Sequence, residues 1–203
     1  QFVEPGNPIP ADTNLIIIPG TKSTISDLKF LKYQGWDIDI KAHYRRGGSI
    51  LGICGGYQIL GNEIIDDQGY DGTPSKAKGL GLLNVKTKMG KEKNLGKKEF
   101  ISTINGKKIS GYEIHLGITS GSDCNNPFAI AGNRKDGAIS SNGLVMGTYL
   151  HGLFFSDEFR NNFVAKLSSE EKKEDISFHD SIEFILEEFV RVIAVSYTHL
   201  TLP

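Results

Sequence analysis

Cysteine is scarce in this chain, with only Cys54 and Cys124 among 203 residues. A small secreted scaffold stapled by disulfides carries more of them in a shorter chain, so that class is excluded. Neither a CxxC nor an HxxxH spacing occurs, and Asp66-Asp67 reads as a solvated turn, so no metal centre is expected. Long apolar runs are missing as well, and none approaches the roughly 18 residues of a membrane-spanning helix. Charge of one sign is also lacking. The 23 Lys and Arg nearly balance 24 Asp and Glu, which leaves a formal charge of −1 and no whole-molecule field to attract nucleic acid. No signal peptide, internal repeat or long low-complexity segment is visible. Hydrophobic residues at 38% and charged residues at 23% are ordinary for a globular protein. The length suits a single domain, assigned here to residues 1–195, and a cytoplasmic, reducing setting is expected.

Both ends carry expectations of their own. The chain opens at Gln1 rather than Met, and VEPGNPIPAD runs straight into a buried strand, as at a boundary cut from a larger protein. From Asp180 to Val195 the pattern is helical, with a capping pair Asp180/Glu183 and Ile182, Ile185, Leu186, Phe189 and Ile193 on one face. Residues 196–203 lose that period. They are read as a disordered or foreign tail, which removes His199 from the functional argument.

What is present is an alternation of buried strands and helices. Leu15 to Ile18 form a continuous apolar run closed by Pro19-Gly20, the pattern of a parallel strand buried on both faces. A helix from about Thr24 carries Ile25, Leu28 and Leu31 at helical spacing and stops at Gly35; a second runs from Asp37 to Arg46 and ends at Gly47-Gly48. A strand, helix, helix, strand, turn, helix order predicts an α/β fold, a mostly parallel central sheet flanked by helices. Residues 62–143 differ. Short alternating runs at Gly81 to Thr87, Glu99 to Ile104 and Tyr112 to Ile118 suggest antiparallel additions to that sheet. Lys86, Lys88, Lys91, Lys93, Lys97 and Lys98 are expected to mark a solvated loop. From Leu144 the buried-strand pattern returns as LVMGTYLHG, and Ser156 to Leu167 read as an amphipathic helix with Phe159, Phe163 and Leu167 on one side.

The stretch SILGICGGYQILG, residues 49–61, is where reactive chemistry is expected. Ile50, Leu51 and Ile53 read as a strand, Tyr57, Ile59 and Leu60 as the start of a helix, and Cys54 sits on the sharp turn between them with Gly52, Gly55 and Gly56 easing the bend. Such an elbow pushes the sulfur toward a substrate. The helix N-terminus beyond it is expected to favour thiolate and to lower the thiol pKa. The competing interpretation is a small buried core cysteine.

A nucleophilic thiol needs a base. His43 and His179 lie in charged helical surroundings and are expected to be exposed, whereas His151 ends a buried strand at a glycine, on the edge where open α/β sheets assemble their sites. His115, in GYEIHLG, is assigned a site-lining or structural role. GTKST, residues 20–24, is not a phosphate loop, because Thr21 and Ile16 stand where that pattern requires glycine. Backbone N–H groups near Gly20, together with that of Gly55, are better suited to hold an oxyanion.

The ordered strings LIIIPGTKST, GSILGICGGYQILG, GLGLLNV, SGYEIHLG and GTYLHGLF, spanning about residues 14–160, resemble class I glutamine amidotransferase domains of the flavodoxin-like type. The GYEIHLG form is most similar to the glutaminase domains of cobyric acid synthases. That resemblance implies hydrolysis of glutamine, with Cys54 attacking the amide carbon and His151 moving protons. Gly20, Thr21 and Gly55 would hold the oxyanion, Gln58 the substrate glutamine, and Tyr112, Glu113 and His115 would line the site. It also implies a separate ATP-dependent synthetase domain, absent from this chain, that uses ATP and Mg and receives the ammonia to amidate corrin carboxylates in cobalamin biosynthesis. No cofactor is implied for this chain itself. Most class I members carry Glu two residues after the catalytic His, where Leu153 stands here; the cobyric acid synthase branch lacks it too, and Glu113 is the candidate to orient His151. Two other assignments stay open: a stand-alone glutaminase subunit of another amide synthetase, such as a cell-wall lipid amidating complex, and a catalytically silent binding module.

Overall fold

The computed structural model describes residues 1–167 together with Ser177 and Ile182; within them, nothing is described of the side chains of 91–95, 97 and 98. The expected helix over 180–195, the tail 196–203 and the exposed state of His179 lie outside the described residues.

Three parallel strands form the centre of the first sheet: β1 (Leu15–Ile18), β2 (Ser49–Ile53) and β10 (Val145–Thr148), with β9 (Ala138–Ile139) antiparallel at one edge in the order β1-β2-β10-β9. Between β1 and β2 lie α1 (Thr24–Tyr33) and α2 (Trp36–Arg45), separated by Gly35 at φ 76°. A backbone with that φ is where glycine replaces other residues without strain, so the sequence stop is a true break. The period-2 geometry of a strand explains why the apolar runs are continuous: in β2, Ile50 enters one core with Ile16, Ile18, Leu28, Ile40 and Tyr57, while its neighbour Leu51 enters a second with Met146, Phe128, Phe159 and Phe163. The first core lies under α1, α2 and α3 (Gly55–Leu60), and the second is closed by α4 (Asp157–Leu167), whose Phe159 and Phe163 are buried one turn apart.

The second sheet is larger than the antiparallel additions expected from short runs. It holds seven strands along the path β11-β6-β5-β3-β4, from β3 (Glu63–Asp66), β4 (Ser75–Lys78), β5 (Val85–Ser102), β6 (Lys108–Gly121) and β11 (Leu150–His151), with β7 (Ala129–Ala131) and β8 (Arg134–Asp136) attached beside β5. The lysine-rich stretch is not a loop. It belongs to the 18-residue strand β5, paired antiparallel to β6 with a register shift between Lys88 and Lys93. The reason is visible at its start, where Val85, Thr87 and Met89 are buried and Lys86 and Lys88 face outward. That is strict alternation, and lysines at alternate positions solvate one face without breaking the strand.

The sheets are joined where β10 ends at Thr148 and β11 begins at Leu150, so that a single residue, Tyr149, carries the chain from one to the other. Among the described residues no helix is long and apolar enough to cross a membrane. Close packing concentrates at the turn after β2. A Cβ built on Gly56 would lie 2.0 Å from the Ile18 carbonyl oxygen, a backbone atom that cannot swing aside. Gly56→Ala is expected to destabilise the fold by roughly 1–3 kcal/mol, read as a lower urea midpoint at unchanged slope.

Candidate active site

Cys54 occupies the strand-to-helix turn between β2 and α3, and its φ of 53° with ψ of −109° makes it the only non-glycine with positive φ among the described residues. A backbone of this kind costs on the order of 1–3 kcal/mol and persists only where the surroundings determine it. They do so here. The Cys54 N–H donates to the Thr148 carbonyl at 2.8 Å, tying the elbow to β10, and the Cys54 carbonyl accepts from Gln58 N at 3.2 Å. On the helix side, a Cβ on Gly55 would stand 2.4 Å from Thr21 Cγ2 and 3.1 Å from the Thr21 amide nitrogen. The residue after the cysteine therefore lies directly against the Gly20-Thr21 turn, and the two backbone segments expected to bind an oxyanion face each other.

His151 reaches the same place from the second sheet. A Cβ on Gly20 would lie 2.9 Å from His151 Cε1 and 3.5 Å from Cys54 Cβ, so both side chains pack against the bare face of Gly20. The Ile114 carbonyl on β6 is shared by both groups. Cys54 Sγ donates to it at 3.4 Å, and its hydrogen bond favours the protonated ring of His151. Tyr112 stacks on the His151 ring at 5.2 Å with planes 10° apart, while the buried Nε2 of His151 has no hydrogen-bond partner. The imidazole is thus clamped on one face and at one edge, with Nε2 left unpartnered.

Glu113 does not orient this ring. Its carboxylate is buried and bound to Arg134 Nη2 at 2.5 Å. Alternation along β6 explains the failure, because residue 113 faces away from the side on which 112 meets His151. His115 follows Glu113. It stacks on Tyr149 with ring centroids 3.7 Å apart, and with Glu113, Thr119, Arg134, Asp136 and Tyr149 it borders a cavity of about 220 Å³ that neither Cys54 nor His151 lines.

Gln58 is buried, and its amide is occupied by protein. Nε2 donates to Leu116 O at 3.1 Å and to the Tyr149 hydroxyl at 3.2 Å, and Oε1 accepts from Thr24 Oγ1 at 3.1 Å. It locks α3 to α1, to β6 and to the sheet crossing, instead of offering its amide to a ligand. His43, expected at the surface, is 2% exposed. Its Nε2 contacts the Ser49 carbonyl at 3.0 Å, and the absent side chain of Gly48 makes room for the ring.

The electrostatics reverse one expectation. Cys54 is 7% exposed, and that burial raises its pKa. The Gly55 N–H pulls the other way, as a helix N-terminus should, but a six-residue helix does not offset the lost hydration, and the Asp71 carboxylate adds to the rise. Burial lowers the pKa of His151, with the Ile114 carbonyl opposing it. Both shifts favour the uncharged forms, so the resting pair is thiol and neutral imidazole.

Known proteins agree with this arrangement at the level of fold and family. Two solved structures share the fold at 18% identity: a glutamine amidotransferase crystal structure, with a TM-score of 0.54 over 77% of this chain and 80% of that one, and PurLQS from Thermotoga maritima, with a TM-score of 0.55 over 78% and 82%. The fold is that of the class I glutamine amidotransferases. Residues 1–159 match the family described as the CobB/CobQ-like glutamine amidotransferase domain, and the chain belongs to that family. Cobyric acid synthase of Cereibacter sphaeroides is 50% identical over 186 residues, a match that covers 92% of this chain and 38% of that protein. The chain spans well under half the length of the relative it matches.

Iodoacetamide, which requires only a thiolate, is expected to alkylate Cys54 more slowly than free cysteine at neutral pH, with the rate climbing at a pH above that of an ordinary thiol. Mass spectrometry of the Cys54 peptide across neutral and alkaline pH measures this. A Cys54 that reacts at neutral pH faster than free cysteine contradicts the neutral pair.

Proposed function

We propose that this chain is the glutaminase part of a cobyric acid synthase, releasing ammonia from glutamine through Cys54 and His151. The observation that carries the reading is the meeting of Cys54, Gly20 and His151 from three separate segments around one strained elbow. The half-identical cobyric acid synthase supports the choice of pathway.

In this mechanism glutamine enters with its side-chain amide carbon facing Sγ. The sulfur attacks as its proton passes to the neutral His151 imidazole, forming the C–S bond and placing negative charge on the amide oxygen. The N–H groups of Gly55 and of the Gly20-Thr21 turn receive that charge. His151 then gives its proton to the departing nitrogen, the C–N bond breaks, and ammonia leaves a thioester behind. Water, deprotonated by the same imidazole, cleaves the thioester to glutamate and restores the thiol. Glutamine and water become glutamate and ammonia, with no redox change and no cofactor. An ATP- and Mg-dependent synthetase portion, such as the longer relatives carry, would take up the ammonia and amidate corrinoid carboxylates.

Because His151 must be neutral to accept the thiol proton, the rate is expected to fall with acidification. Burial sets the inflection below the ordinary imidazole value of about 6.5. Incubation with a diazo-ketone analogue of glutamine should modify Cys54 and not Cys124, and Cys54→Ala should abolish the adduct. His151→Asn is expected to slow it by about a hundredfold or more. Labelling that persists in Cys54→Ala, or that falls on neither thiol, overturns the glutaminase reading.

A further inference from the structure

Asp136 is 5% exposed, and among the described residues no cation forms an ion pair with it. A carboxylate buried in this way is costly, and an apolar residue of similar volume is often the more stable choice. Its two oxygens are both committed to one place. The Thr148 hydroxyl donates to Oδ2 and the Tyr149 N–H donates to Oδ1 at 3.2 Å. Thr148 Oγ1 in turn accepts from Leu150 N at 3.1 Å. Three successive residues at the sheet crossing are therefore anchored, directly or through one hydroxyl, to a single carboxylate.

Both reacting groups hang from that crossing. The Thr148 carbonyl receives the Cys54 N–H, and His151 is the residue after Leu150. Gly137, the residue after Asp136, brings the anchor close: at φ 72°, its missing Cβ would lie 2.0 Å from the Gly147 carbonyl oxygen, so the turn from β8 into β9 passes against β10 at backbone contact. We infer that Asp136, acting through the Thr148 hydroxyl, is a positioning residue that sets His151 against Cys54 for the reaction with glutamine. The inference rests on the glutaminase reading above. Burial lifts the Asp136 pKa to about 6, with the Thr148 and Tyr149 bonds and Arg134 holding it down and Glu113 pushing it up.

A structural role alone predicts loss of stability. Positioning predicts a loss of maximal rate at nearly constant binding, because small displacements of a reacting group cost about tenfold to a hundredfold in rate. The test follows modification of Cys54 by the diazo-ketone analogue of glutamine in this chain, separating the maximal rate from the half-saturating concentration. Thr148→Val, which keeps the shape and removes the hydroxyl, is expected to slow the maximal rate by about tenfold or more. Its half-saturating concentration should stay within about threefold of the parent's. Thr148→Ser, which returns the hydroxyl, should recover the rate, and Asp136→Asn should behave like Thr148→Val. A folded Thr148→Val that labels at the parent rate overturns the inference. So does a half-saturating concentration that rises in step with the rate loss, or a failure of both Thr148→Val and Asp136→Asn to fold. Absence of Cys54 labelling in the parent chain would instead defeat the glutaminase reading itself.

Discussion

The contact on which the rest depends is the hydrogen bond from the Cys54 amide to the Thr148 carbonyl, 2.8 Å long, across the centre of the parallel sheet. It holds a cysteine in a backbone conformation that other residues avoid, and it does so from a neighbouring strand whose next few residues leave the sheet and deliver the imidazole. The strained elbow and the proposed Cys54–His151 chemistry share one fixture. The elbow can stay bent because β10 grips it, and β10 is placed because its far end is fastened to the second sheet.

Around that fixture, burial performs two tasks that pull in different directions. It builds the apolar layers on both faces of β2, and it removes water from the thiol and the imidazole. The first supplies stability, while the second sets the resting protonation state. Gln58, Tyr149, Thr119 and Thr24 reconcile them by consuming one another's polar groups, Thr119 Oγ1 and the Tyr149 hydroxyl standing 2.5 Å apart. A polar residue in a closed network of this sort stiffens the helix behind Cys54 without leaving an unpaired donor.

Much of this was legible from residue order. The apolar run at 15–18, the Gly35 break, the Cys54 elbow and the paired phenylalanines of α4 follow from local spacing, because each depends on period and on glycine placement within a dozen residues. The exposed His43 and the lysine loop failed for a different reason. Neighbours distant in sequence decide them: Ser49 with Gly48 in one case, and the long partner strand β6 in the other. The site itself divided the same way. Cys54 and His151 announce themselves by the motifs around them, but the Ile114 carbonyl, Thr148 and Asp136 carry no signal that periodicity can find. A backbone oxygen has no side chain to recognise, and a buried Asp in NRKDG looks like any turn aspartate. Tyr149, two residues before His151, is committed to Gln58 by a contact that only the fold creates. The Cys54 pKa shifts opposite to what helix position predicts, because helix position can be read locally and desolvation cannot.

A buried sulfur whose protonated form is favoured has a further consequence for how the domain endures. Peroxides and adventitious electrophiles react with thiolate, so a cysteine held toward the thiol form resists conversion to sulfenic acid better than one kept permanently ionised. The same burial that favours the thiol form of Cys54 shields it from the oxidants it would otherwise meet first.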